Sequence, residues 1–385
     1  MIIAHIALEC SYTPGFTYQE NLLPKYQAQL GHTVYLITQD IINNGDGTYS
    51  KVDKTPFIDC GVNVIRISRK HYKFEIAKKL FPTHSFYYIL EGINPDLIML
   101  HGMGFSYNRE VKNFLKKHSN CKLIGDNHAD EFNNKGKKGF LHFISMMIAR
   151  YNVSILKKYY LKLYGVTEGR CSFIKTYYGV KNIDIDLLPA GVDIDKAHYT
   201  QRDLIRKMVR NYTQIADGDF VICSGGKLNA SKNIISLMNA VIKLNNPKIH
   251  LIIFGKPYPD IAEPFDALYK DPHISYLGWA NAEQTYNYFF ASDLIVFPGL
   301  HSVLWEQAVG SGTPCVFNDL EGLHHFDVGG NCVFINKPNE SNLSNLIADL
   351  FNNRDKLLIM KNAAMDKGIE KFSYINIAKK SLEVL

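Results

Sequence analysis

The stretch 219–256, DFVICSGGKLNASKNIISLMNAVIKLNNPKIHLIIFGK, reads as one repeat unit of a parallel sheet. An apolar run, FVIC, passes through two glycines into an amphipathic segment, IISLMNAVIKL, and a second apolar run, IHLIIFG, follows. Short apolar runs separated by a spacer of that length predict strand, helix, strand. The alternation recurs on both sides. IIAHIAL, TVYLIT, NVIRI, DLIMLHG, KLIGD and KLYGVT predict strands in the first half, and ISYLG, DLIVFP and PCVF extend the set in the second. The expected class is α/β, with two doubly wound parallel sheets. A chain of 385 residues accommodates two domains of ordinary size. No Gly/Ser linker and no repeat divides them, and the polar stretch after LLPAGVDIDK puts the boundary near residue 196.

Hydrophobic residues make up 46% of the chain and charged residues 21%, a globular composition. The net charge of +6 suits an anionic partner without choosing among nucleotide, nucleic acid and membrane surface. Seven scattered cysteines with no CxxC pair predict buried free thiols in a reducing, cytoplasmic setting. MIIAHIALEC lacks the basic start of a signal peptide, and no uncharged run approaches the length of a membrane span.

Open parallel sheets bind ligands beyond the carboxyl ends of their strands. Two corners there carry chemistry. In the first, Gly225 and Gly226 end a strand, and Lys227 and Lys232 surround the start of the next helix. Lysines are disfavoured at that positive end of the helix dipole, and a bound diphosphate would reverse the sign. Two solvated surface lysines on an ordinary turn remain the alternative. In the second corner, DLIVFPGLHSVLWEQAVGSGTPCVF, a strand leads into a helix around 302–309. Val303, Leu304, Trp305, Ala308 and Val309 leave that helix little polar surface, so Glu306 is expected to be buried and to need hydrogen-bond donors. Ribose hydroxyls would supply them; a Glu on one exposed stripe is the plainer reading.

In order along the chain, GHTVYLIT (31–38), DLIMLHG (96–102), LYGVTEG (163–169), LLPAGVDIDK (187–196), GGKLNASKNI (225–234), IIFGK (252–256), YLGWANAEQTYNYFFASDLIVFPG (276–299), EQAVGSGTPCVF (306–317), GGNCVFI (329–335) and FSYINIAKKSLEVL (372–385) resemble landmarks of the retaining glycosyltransferases of family 4. The resemblance implies the GT-B fold: two Rossmann-like domains facing a central cleft, 1–195 on the acceptor side and 196–370 on the nucleotide-sugar side, with a terminal helix, 371–385, crossing back. It implies transfer of a hexosyl or N-acetylhexosaminyl group from a UDP- or GDP-linked sugar to a glycan or lipid-linked acceptor, in polysaccharide or glycoconjugate biosynthesis. No bound cofactor and no metal are implied.

Carried over by position, Lys227 and Lys232 meet the diphosphate, and Glu306 matches the second Glu of an E-x7-E motif and holds the ribose. Gly278, Trp279 and Ala280 match the segment against the base. His128, in GDNHADEF, matches a catalytic histidine near the reacting carbon, and Gly15 matches a glycine loop beside the donor. The chain also departs from the pattern. Pro298 stands where the first Glu would fall, leaving His301 and Ser302 as the polar groups on the donor side, and Phe16 follows Gly15. Tyr18, Gln19, Glu20 and His101 are acceptor-side candidates.

Three other readings compete. Gly102 and Gly104 with Asp126 imitate a nicotinamide site, but Tyr107 occupies the third glycine position. A nucleotide-sugar binder without turnover, and an epimerase of the same fold, are the functional alternatives. Asp184–Asp186, Asp193–Asp195 and Asp217–Asp219 spell DxD but read as turn and capping residues. The basic, apolar segment 135–163 suits either a helix packed on the first sheet or one lying on an anionic membrane, the latter making the protein peripheral at the inner face. Nucleic acid is not an expected partner.

Overall fold

A computed structural model of the chain describes residues 1–44, 48–68, 75–81, 85–129 and 139–384. The chain divides into two compact units, Met1–Pro189 with Ile377–Leu385, and Ala190–Asn376.

The first unit contains Ile2–Ala7 (β1), Thr33–Gln39 (β2), Ile41–Asn43 (β3), Tyr49–Lys51 (β4), Phe57–Asp59 (β5), Val62–Ile67 (β6), Leu97–His101 (β7), Lys122–Asn127 (β8), Tyr160–Gly165 (β9) and Ile185–Leu187 (β10). Eight of these form one sheet in the order β10-β9-β8-β7-β1-β2-β6-β5, parallel except for β5 against β6. The order reverses between β1 and β7, so the loops after those two strands flank the switch point, where ligands bind such sheets. The antiparallel pieces β3, β4 and β5 were not among the expected strands: each is three residues long and too polar or too short to show an apolar run.

The second unit contains Phe220–Leu228 (β11), Ile249–Pro257 (β12), Ile274–Tyr276 (β13), Leu294–Phe297 (β14), Cys315–Asn318 (β15) and Cys332–Ile335 (β16). They form a parallel sheet in the order β13-β12-β11-β14-β15-β16, reversing between β11 and β14. Alternate residues feed opposite faces, as the strand period of two requires. Phe220, Ile222, Leu251 and Ile253 enter one core, and Val221, Cys223, Ile252 and Phe254 the other.

The boundary falls a few residues before 196, because the segment after Pro189 is already tied into the second unit. Val192 bridges Ser373, and the Asp193 N–H donates to the Tyr286 hydroxyl at 3.1 Å. The return likewise comes at Ile377, inside the helix Tyr374–Leu382, since Phe372 is still core of the second unit. Of the free cysteines, Cys223, Cys315 and Cys332 are buried, whereas Cys60 is exposed and the rest lie half-buried.

The strand β11 continues through Lys227 to Leu228, and after the single turn Ala230–Lys232 the helix begins at Ile234. Lys227 is therefore a strand-end residue rather than a helix-start residue. The helix expected around 302–309 spans Leu304–Gly310. In the segment 135–163, residues 135–138 lie outside the described residues. The helix Phe140–Ser154 packs inward through Ala149, Asn152 and Val153, while the apolar Phe140 (76% exposed), Phe143, Met147 and Tyr151 stay exposed. No helix among the described residues is long and apolar enough to cross a membrane.

Candidate functional site

In the second unit, the ends of β11, β12 and β13 form a rim without side chains. Gly226 (φ +108°), Gly255 (φ +117°) and Gly278 (φ +70°) follow one another across the three strands. Gly226 is paired with Gly255, whose N–H donates to Gly278 O at 2.6 Å, and a Cβ on Gly255 would run into Gly226 O. Such a rim lets a ligand approach the backbone closely. Gly225 faces the Phe254 ring and has a packing role. Lys227 is exposed at the rim, and Trp279, next to Gly278, is 64% exposed with Ala280 beside it.

Across the switch point, the loop after β14 holds Lys232. The Lys232 ammonium donates to Leu300 O at 2.6 Å and to His301 O at 3.0 Å, and Leu300 N–H donates to Ser231 O at 2.9 Å. Gly299 makes this possible, because a Cβ there would run into the Lys232 backbone. Burial, aided by the neighbouring Lys227, lowers the Lys232 pKa to about 8. His301 faces Glu306 through Nε2, 3.0 and 3.1 Å from the two carboxylate oxygens. Its ring meets the edge of Trp305, which stacks on Phe317 at 4.4 Å between centroids. Glu306 is 1% exposed. Burial opposes its charge, but His301, helped by His325, outweighs burial and holds the carboxyl below its ordinary range. Ser302 lies on the same loop, and its carbonyl accepts from Trp305 N–H at 2.9 Å. Thus Lys232, His301 and Glu306 form one connected group, with Lys227 within electrostatic reach.

In the first unit, Gly15 (φ +83°) is exposed in the loop after β1. Tyr18 stands just before the helix Gln19–Gln29 and meets Phe16 edge-on. Gln19 and Glu20 are buried, and Gln19 Nε2 donates weakly to Asp126 Oδ2 at 3.4 Å. Burial raises the Glu20 pKa, with the nearby His128 opposing it. His101 is 1% exposed and engaged at both ring nitrogens, by His5 at 2.9 Å and Asp126 at 2.8 Å. Both partners hold the ring from inside the unit. His128 Nε2 lies 3.2 Å from Asp126 Oδ1. Gln19, Glu20, His101 and His128 thus gather around Asp126, while Gly15 and Tyr18 stay on the loop.

The expectation missed Asp126 as a partner, along with His5, Gln27 and Gly255. One signal was present: His5 interrupts an otherwise apolar strand, IIAHIA. The nicotinamide alternative loses its acid, because Asp126 is fully buried and faces two histidines. The DxD segments are occupied too: Asp184 and Asp186 both pair with Lys162, and Asp219 with His250. Among the described residues, His101, Asp126 and His128 are the group of metal-ligand types, their ligand atoms within 4.8 Å of one another.

Residues 206–367, inside the second unit, match the family described as Glycosyl transferases group 1. With its two parallel Rossmann-like sheets, the protein is a glycosyltransferase of the GT-B fold. Solved structures match over the whole chain. A glycosyltransferase from Rickettsia africae ESF-5 is 16% identical, covering 100% of this chain and 97% of that one, at a TM-score of 0.69. Anabaena Alr3699/HepE in complex with UDP is 15% identical, with coverages of 100% and 99% and a TM-score of 0.69. A sucrose-phosphate synthase (tll1590) from Thermosynechococcus elongatus is 16% identical, with 100% and 98% covered and a TM-score of 0.68. At such identities the likeness carries the fold. No curated protein matches the sequence.

Proposed function

We propose that the protein transfers a hexosyl or N-acetylhexosaminyl group from a nucleoside diphosphate sugar, UDP-linked, to a saccharide acceptor, with retention and in the manner of family 4. The observation that carries this reading is the connected group Lys232–His301–Glu306 at the switch point of the second unit, beside the glycine rim. The diphosphate lies against Lys227 and Lys232, the base against Gly278–Ala280, and the ribose hydroxyls donate to Glu306 in place of His301. As the bond between the anomeric carbon and the diphosphate oxygen breaks, negative charge grows on the leaving group, and two ammonium groups stabilise it where it develops. His128 contacts the donor sugar near the reacting carbon. The UDP complex of the Anabaena relative supports the choice of base.

The test is calorimetric titration with UDP, GDP and ADP, each with EDTA, beside a transfer assay. UDP should bind, Lys227→Ala should cut transfer by about 100-fold or more while the fold is kept, and EDTA should leave transfer intact. Near-normal transfer by Lys227→Ala removes that lysine from the site. UDP release without a glycosylated product supports the alternatives, a non-catalytic binder or an epimerase.

For the acceptor, the reading includes a lipid-linked saccharide met at an anionic membrane surface. It rests on the exposed Phe140, Leu141, Phe143, Met147 and Tyr151. Arg150 contributes less than its sequence position suggests, since its guanidinium donates to Tyr177 O and Thr176 O. Sedimentation with vesicles should show binding that needs anionic lipid and is lost in Phe140→Ser/Phe143→Ser. Equal sedimentation of the two proteins would remove the helix from this role.

A further inference from the structure

Six side chains of the first unit form a polar line, hydrogen-bonded as far as Asp126 and at ion-pair distance from there to His128. It starts at Ser381, on the returning helix, and passes through Gln27, His5, His101 and Asp126 to His128. All but His128 are buried; the His128 side chain is 35% exposed. A buried polar group without a partner is costly, so the proton on each link is constrained by its neighbours.

The constraint can be followed atom by atom. The Ser381 hydroxyl donates to Ala378 O at 2.7 Å, so its oxygen accepts from Gln27 Nε2 at 2.9 Å. That orients the Gln27 amide, and Gln27 Oε1 accepts from His5 Nε2–H at 2.7 Å. Burial, with His101 adding to it, lowers the His5 pKa to about 3, so His5 is neutral and its Nδ1 is bare. His101 Nε2–H then donates to His5 Nδ1 at 2.9 Å. A carboxylate only accepts, so His101 Nδ1–H donates to Asp126 Oδ2 at 2.8 Å. His101 therefore carries protons on both nitrogens. Burial disfavours that imidazolium, but Asp126 outweighs burial and raises the His101 pKa; against the same burial, His101 and then His128 push the Asp126 carboxyl down.

The other Asp126 oxygen, Oδ1, lies 3.2 Å from His128 Nε2, and neither atom has another hydrogen-bond partner. We propose that Asp126, held by His101, His5 and Gln27, is a positioning residue that fixes His128 as the Nε2–H tautomer and leaves Nδ1 as the ring nitrogen offered to a donor-sugar hydroxyl. This rests on the reading of His128 given above. Asp126 acts through His128, and the imidazolium behind it keeps Asp126 ionised.

The test is ¹⁵N spectroscopy of histidine-labelled protein, with the His128 signals assigned from His128→Ala. Wild type should show His128 protonated at Nε2 and bare at Nδ1. In Asp126→Ala no acceptor faces His128 Nε2–H, and its ¹⁵N signals should move to the averaged positions of a ring exchanging between tautomers. Transfer should fall about 100-fold or more, while UDP affinity, read in the second unit, should stay within about twofold. The double variant Asp126→Ala/His128→Ala should be no slower than His128→Ala. A bare Nε2 in the wild-type spectrum overturns the proposal whether or not the variant folds. So do unchanged His128 signals in Asp126→Ala, or losses that add in the double variant. Normal transfer by His128→Ala, with the tautomer as expected, instead overturns the reading of His128 in the reaction.

Discussion

An ammonium group has three N–H bonds to give. Lys232 gives two of them to Leu300 O and His301 O, which aims the third and keeps the charge in place. Its pKa of about 8, against 10.5 for an ordinary lysine, gives two slopes of opposite sign. Between those values the unfolded state binds more protons than the folded one, so this group makes stability rise with pH. A diphosphate needs the ammonium form, so UDP affinity should fall as pH rises through about 8, and binding above that pH should take up a proton. Calorimetry in buffers of different ionisation heat reads the uptake. Affinity that is flat with pH, or lost equally in Lys232→Met, would separate Lys232 from the phosphate. Lys227, Lys232 and Glu306 stand out in the sequence because each is a charge set among apolar runs. It did not show Asp126 for what it is: one acid ending one strand fits a ribose contact as well as a histidine partner, and only the fold brings His101 beside it.

At the level of elements, the corner that holds Lys232 depends on two backbones touching. The turn after β14 lies directly on the turn Ala230–Lys232, and Gly299 is the residue that permits it. Gly299→Ala adds one methyl group against the Lys232 backbone, changes no charge, and forces Lys232 to shift. UDP affinity should fall about tenfold or more, comparable to losing a charge-assisted hydrogen bond, with the fold retained. An unchanged affinity would mean that the loop yields and Lys232 is not held by it. The strand-to-helix corners were legible here, since the apolar runs and their glycines marked β11, β12 and β14 in order. The three-glycine rim was not, because Gly226, Gly255 and Gly278 are far apart in sequence and become neighbours only through strand order. The small antiparallel strands β3 to β5 escaped for the opposite reason: three residues with mixed polarity carry no period.

For the molecule as a whole, the two sheets share one plan, with the order reversing beside the first strand of each unit, and the alternation of runs foretold it. The exact limits of the units were less legible, because Val192 and Phe372 are set by pairing across nearly the whole second unit rather than by local composition. The last segment of the chain, from Ile377, belongs to the first unit: Ser381 bonds Gln27, the Lys380 ammonium pairs with Asp186 at 3.2 Å, and Lys380 O accepts from the Tyr164 hydroxyl. During synthesis, a ribosome makes residues 1–189 first and this segment only after all of Ala190–Asn376. A nascent first unit therefore waits with the Gln27 amide and Asp186 lacking these partners, and its buried histidine line has no fixed polarity. Vectorial folding, in which an early domain finishes before a later one begins, is closed to this chain. The first unit is begun first and completed last, so a chain stopped short would carry a finished Lys232–His301–Glu306 group and an unfinished His128.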